Sequence, residues 1–199
     1  MAHPEKTAVL ENQNGVALLT VLLIMVIMAV IGLAAITVTG LENRMAGFGR
    51  TGEAATTAAE ACIGTAVNII QQTIDQGTLP AAYSPNPVPT ATATTLNQEI
   101  MGQSDNNPDT PTGSPNTDVT VNGFRVRGDI DRLYVTTKSG GAIQFASGYE
   151  GTAAGAAGGG VDILYRIDCT ATNVATNTTS QITAVYACNA TGESCQKKP

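Results

Sequence analysis

Between Gly15 and Glu42 the chain carries no charged side chain: Val16 to Leu41 is an unbroken run of apolar and small residues. At about 1.5 Å of rise per residue, a helix over that run crosses a bilayer with length left for tilt. A secretory signal would show a basic start, a shorter apolar core and a small-residue cleavage site behind it, and none precedes the polar turn at Glu42. The segment 16–41 is therefore expected to stay in the mature protein as a transmembrane helix.

The 199 residues leave room for one modest domain beyond such a helix. Trp is absent and the part after Pro80 is rich in Thr, Asn, Ala and Gly, so its core must be small and built from Val, Ile, Leu and Tyr. A formal charge of −6 without a basic cluster argues against nucleic acid as a partner. The cysteines Cys62, Cys169, Cys188 and Cys195 all follow the apolar run. Their even number fits an oxidising compartment. Cys188 and Cys195 bracket a polar loop too wide for a CxxC metal knuckle and suited to a loop-closing disulfide, which is expected there. Cys169 shares the alternation of Val161, Ile163, Tyr165 and Ile167, while Cys62 lies on the helical stripe Ala58, Cys62, Ala66, Ile69. A helix-to-sheet bridge between Cys62 and Cys169 and a pair of buried free thiols both fit that placement.

No proline falls between Pro4 and Pro80, and apolar residues recur at helical spacing through Ala54, Ala55, Ala58, Ala59, Cys62, Ala66, Ile69, Ile70 and Ile74. One long helix over 16–79 follows, lipid-facing in its first half and amphipathic in its second. Gly32, Gly40, Gly47, Gly49 and Gly52 are its weak points, at about 1 kcal/mol each relative to Ala, and local bending or melting is expected there. Gly77 and Pro80 make a stop. Residues 80–199 then form a headpiece. Its opening, 80–118, holds most of the prolines and reads as a surface excursion, ordered only if it packs on something. Strand signals follow in Val119 to Val121 and Phe124 to Arg127 around Asn122-Gly123, and in Leu133 to Lys138 and Ala142 to Ala146 as a second hairpin. After a Gly/Ala loop at 151–160 come Val161 to Thr170 and Gln181 to Cys188. The expected fold is α+β, a long N-terminal helix packed on a small antiparallel sheet of about four to six strands.

The start resembles a type IV prepilin: residues 1–15 form a short polar leader ending in Gly15, and the apolar helix begins at once. In that class a membrane peptidase cuts after the glycine and methylates the new N-terminus, here Val16. A residue without a side chain lets the backbone lie extended in a protease groove. The segments Gly15-Val-Ala-Leu-Leu-Thr-Val-Leu-Leu, Ile31-Gly32, Leu41-Glu42-Asn43-Arg44-Met45-Ala46-Gly47 and Ala58-Ala59-Glu60-Ala61 are similar to the N-terminal region of PilX-type minor pilins. The likeness covers roughly residues 14 to 66, and beyond Gly77 only a general pilin-like headpiece. Three departures from the wider class stand out. Lys6 is the sole firm positive charge of the leader against Glu5 and Glu11, which weakens the orientation signal. Val16 stands where Phe is commonest. Thr20 stands at the fifth mature position, where major pilins carry a glutamate held to meet the N-terminal ammonium of a neighbour. A hydroxyl there is satisfied by its own helix, which fits either a subunit at the end of a filament, if each acid holds the amine of its neighbour as the resemblance implies, or simply a tolerated small residue in a helix.

The only histidine, His3, sits in the leader, so Ser-His-Asp and Cys-His catalysis and His-ligated metal are excluded from a trimmed chain. Asp129 and Asp131 read as a solvated charge cluster beside Arg127 and Arg132. The loop Ser104 to Asp109 offers oxygen ligands but departs from the calcium-loop spacing, and 151–160 lacks the ending of a phosphate-binding loop. Glu42 and Arg44, just past the bilayer, suit either pairing with other subunits or interfacial solvation. No catalytic, cofactor or metal residues are expected.

The resemblance thus implies a non-enzymatic minor pilin of type IV pilus assembly, in a tip or priming complex. Its implied partners are other minor and major pilins, prepilin peptidase, inner-membrane lipid and a tip adhesin. Gly15 and Val16 would be the processing site, and Thr20, Gly32, Gly40, Glu42 and Arg44 would belong to the assembly helix. The protein would cross the inner membrane once, its C-terminal domain in the periplasm, before reaching a pilus at the cell surface. A type II secretion tip pseudopilin and a signal-anchored periplasmic binding module are the alternatives.

Overall fold

The computed structural model describes residues 13–104, 110–111, 113–137 and 160–199. The chain divides into two compact units, Met1–Arg50 and Thr51–Pro199. Helix α1 (Gln13–Gln76) spans 64 residues without a break, starting and stopping slightly before the expected 16–79. Gly32, Gly40, Gly47, Gly49 and Gly52, expected to bend or melt it, all lie within it. Glycine weakens a helix through backbone entropy but keeps its N–H, so the ladder survives where a proline would have cut it. The helix ends where Gly77 takes a left-handed φ of 68°.

In the first unit, residues 15–50 are all exposed. The second unit is built around the stripe of α1 formed by Ala55, Ala59, Cys62, Ile63, Ala66, Ile69, Ile70 and Thr73, all buried. Facing it, among the described residues, is a five-stranded antiparallel sheet in the order β1-β2-β3-β4-β5. The strands are β1 (Thr117–Val121), β2 (Phe124–Thr137), β3 (Val161–Asn173), β4 (Thr178–Asn189) and β5 (Cys195–Lys198). Asn122 and Gly123 join β1 to β2 with φ of 50° and 81°, the left-handed pair of a tight hairpin turn. The inner face of the sheet presents Phe124, Val126, Ile130, Tyr165, Ile167, Cys169, Ala171 and Ala184 to the core. Burying a side chain such as Ile69, Ile130 or Ile167 contributes about 1.5–3 kcal/mol.

Two parts of the head differ from expectation. Residues Leu133 to Thr137 are not a strand of their own but continue β2, carried past a register shift between Arg132 and Tyr134. The polar run Asp129 to Arg132 imitates a break, whereas a bulge absorbs the irregularity. The partner strand expected at Ala142 to Ala146, and all but the last residue of the loop 151–160, lie outside the described residues. The proline-rich 80–118 region is no bare excursion either. It holds a 3-10 turn (Ala81–Tyr83) and helix α2 (Ala93–Ile100), and it runs into β1. Val88, Leu96 and Ile100 are buried in the core, and Tyr165 donates its phenolic O–H to the Ile100 carbonyl at 2.7 Å.

Beyond the Thr117–Gly128 pair, β1 no longer covers the edge of β2. Side chains take its place: Asn116 Oδ1 accepts from Ile130 N at 2.6 Å, and Glu99 Oε1 accepts from Arg132 N at 3.4 Å. At the other end of the sheet, β5 packs beside β4 and carries Lys197 and Lys198 exposed. The loop before it rests on α1, where a Cβ placed on Gly192 would meet Gln71 O at 2.6 Å and Asp75 N at 2.7 Å.

Candidate functional site

Gly15 and Val16 stand in the first turns of α1, Val16 64% exposed. The backbone at Gly15 is helical, so a protease that reads an extended strand must first unwind this turn. A Cβ on Gly15 would meet nothing within 4 Å among the described residues. From Val16 to Leu41 the large side chains are exposed throughout, and α1 is long and apolar enough to cross a membrane. That is compatible with a single-pass anchor.

Three threonines interrupt this apolar surface, and each bonds its own helix. Thr20 Oγ1 donates to Ala17 O at 2.9 Å, Thr37 to Ala34 O at 2.8 Å, and Thr39 to Ala35 O at 3.1 Å and Ile36 O at 3.0 Å. Thr20 therefore offers a neighbour neither charge nor a spare hydroxyl proton, and it can sit in hydrocarbon without an orphan donor. Gly32 and Gly40 have open space where a Cβ would stand. They leave shallow notches, the surface that lets two helices approach closely where lipid is as apolar as leucine. Glu42 and Arg44 are exposed just beyond.

Two disulfides hold the head. Cys62–Cys169 joins the buried face of α1 to the middle of the sheet, and Cys188–Cys195 joins β4 to β5. The first passes Gly128 so closely that a Cβ there would lie 2.4 Å from Thr117 Oγ1 and 2.7 Å from Cys62 Sγ.

Asp129 and Asp131, expected as a solvated cluster, are buried, at 0% and 5% exposure. They stand on one face of β2 opposite Asp168 and Arg166 of β3. Arg166 answers two acids, with Nη2 at 2.5 Å from Asp131 Oδ2 and Nε at 3.0 Å from Asp168 Oδ2. Thr183 donates to Asp168 Oδ1. Neither oxygen of Asp129 has a hydrogen-bond partner. Burial first, then the charges of Asp131, Glu99 and Asp168, push its carboxyl up to about 7, against a smaller opposing pull from Arg166. The alternating Arg127, Asp129, Asp131 has the look of a solvent face, which is why the sequence misleads. Nothing in the sequence around Glu99 or Asn116 marks either as a partner of β2.

Among the described residues no group of three or more His, Cys, Asp or Glu is placed to hold a metal ion. Most of the loop Ser104 to Asp109, and His3, Glu5, Lys6 and Glu11 of the leader, lie outside those residues. An apolar groove of about 290 Å³ between α1 and β1, lined by Ala58, Ala61, Thr65, Pro87, Val119 and Val121, presents no nucleophile paired with a base.

No curated protein and no solved structure matches the chain. The family model of the PilX N-terminal domain matches residues 14–63, wholly within α1, so this segment is similar to the N-terminal helix of PilX-type pilins and consistent with a type IV pilus-related pilin.

Proposed function

We propose that the chain is a minor pilin of a type IV pilus. It would be cut after Gly15, methylated at Val16, and drawn from the inner membrane into a filament through α1, with its head outside the cytoplasm. The observation that carries this reading is the charge-free, wholly exposed surface of α1 over 16–41, directly behind Gly15 and inside the segment that matches the PilX model. Such a surface is satisfied by lipid or by like helices. Between lipid and like helices the hydrophobic effect makes little difference, so van der Waals packing at Gly32 and Gly40 and polar contacts at Glu42 and Arg44 would decide assembly. Thr20 supports a place at the end of the filament, in a tip or priming complex with other minor pilins, because it cannot hold the amine of a neighbour. In this reading the role of the head is non-enzymatic, as in the pilins its N-terminal helix resembles, with an adhesin among its partners.

The test is the N-terminus of protein extracted from membranes. A chain beginning at methylated Val16 is expected, and Gly15→Phe is expected to leave an uncut, unassembled precursor. Trimming of that variant at the normal rate, or a wild-type protein that keeps its leader, would refute the reading and favour a signal-anchored binding module. A type II secretion pseudopilin shares this helix and would be separated by co-purification with secretion rather than pilus subunits.

A further inference from the structure

Asp129 is fully buried without a hydrogen bond to either oxygen, in a protein interior where an unpaired charge is costly. Its surroundings are mostly acidic. On its own strand Asp131 shares its face, and from β3 Asp168 and Arg166 face it, Arg166 already being engaged with both Asp131 and Asp168. Glu99 approaches from α2, close enough to disfavour ionisation, and Asn116 arrives from the segment before β1. On the same face of β1, Asp118 is held by Arg125, and β4 supplies the Thr183 hydroxyl, which bonds Asp168. Arg127 and Arg132 are the remaining cations of β2, and neither hydrogen-bonds Asp129.

The same few residues also fasten α2. Glu99 and Asn116 hold the outward amides of β2 at Arg132 and Ile130, and Asp129 and Asp131 alternate with those two positions. The charge on Asp129 and the grip of α2 on the sheet therefore meet at one place.

We propose that Asp129 is a proton-held latch for helix α2: while its carboxyl is neutral the acid set tolerates Glu99 on the edge of β2, and ionisation drives Glu99 and α2 away from the sheet. The closed state keeps a proton on Asp129 that the open state sheds at lower pH, because the charge of Glu99 leaves with α2. The closed state is therefore most favoured in acid and loses ground as pH rises. The loss continues until the closed state ionises too, at about 7, and then levels off.

Hydrogen exchange of the full chain in detergent micelles tests this, read on peptides covering α2 and corrected for the intrinsic rate at each pH. The opening equilibrium of α2 is expected to rise with pH, by at most about tenfold per pH unit, between pH 5 and about 7 and then flatten. Asp129→Asn should abolish that rise, while Asp118→Asn should retain it. A flat wild-type profile, or the same rise in Asp129→Asn, would overturn the proposal. Should Asp129→Asn fail to fold, infrared spectra of wild-type protein with labelled aspartate replace it. A protonated, buried carboxyl band at pH 6 that disappears around pH 7 supports the latch, and its absence at pH 6 refutes it.

Discussion

Replacing Cys62 and Cys169 together by Ala should cost far more than replacing Cys188 and Cys195, although each pair removes one disulfide. A cross-link stabilises mainly by denying the unfolded chain its loop entropy, and the denial grows with the loop. The Cys62–Cys169 bond closes a separation of 107 residues and the Cys188–Cys195 bond one of 7, for which the chain-entropy estimate gives about 5 and about 2 kcal/mol. Both cysteines of the first pair are core residues, Cys62 at 6% and Cys169 at 0% exposure, so the lost sulfurs add a cavity term of about 1 kcal/mol. Net domain stability is of order 5–15 kcal/mol, so the first variant sits near the edge of folding. The assay is urea unfolding of the full chain in detergent micelles, followed by tyrosine fluorescence, with sucrose present to keep the weaker variant folded. Intact mass after alkylation establishes which thiols are bonded. Equal losses for the two pairs, or the larger loss at Cys188–Cys195, would refute the reasoning.

Gly128→Ala should cost about 1–3 kcal/mol, because its methyl would press on the buried Thr117 hydroxyl and on the disulfide-bonded Cys62 sulfur; thermal unfolding measures it, and a loss below about 0.5 kcal/mol, within the scatter of ordinary surface changes, would show that the sheet yields there. Gly192→Ala combines a left-handed φ of 76° with a collision against the backbone of α1 at Gln71 and Asp75. It should lift the loop before β5 from the helix, raising proteolysis near the C-terminus several-fold while the rest of the head stays resistant.

Much of this architecture is written in local pattern. The helix follows from uninterrupted periodicity without proline, the β1–β2 hairpin from Asn122-Gly123, and β3 and β4 from alternation bounded by Thr and Asn. What escapes such reading depends on distant parts. Helix α2 is only eight residues, too short to fold without tertiary support, and it is fixed by Leu96 and Ile100 entering a core made elsewhere. Strand β5 is four residues anchored through Cys195. The burial of Asp129 and Asp131 is the clearest failure, since alternating acids and arginines are what a wet face shows, and only the register with Asp168 and Arg166 reveals the cluster. For the proposed processing site the sequence carries nearly everything, because Gly15 and Val16 derive their meaning from the apolar run behind them.

The treatment of the sheet margins has a consequence for any assembly this head enters. A bare strand is adhesive: its unspent amides and carbonyls invite annealing with whatever backbone drifts past, and neighbours held at high local concentration would fuse irreversibly. Here one border is a short strand continued by the amide of Asn116 and the carboxyl of Glu99, and the other carries Lys197 and Lys198. Over those stretches crowded heads would touch through side chains and part again, while Thr178 to Ala184 of β4 has no partner strand on its outer edge among the described residues.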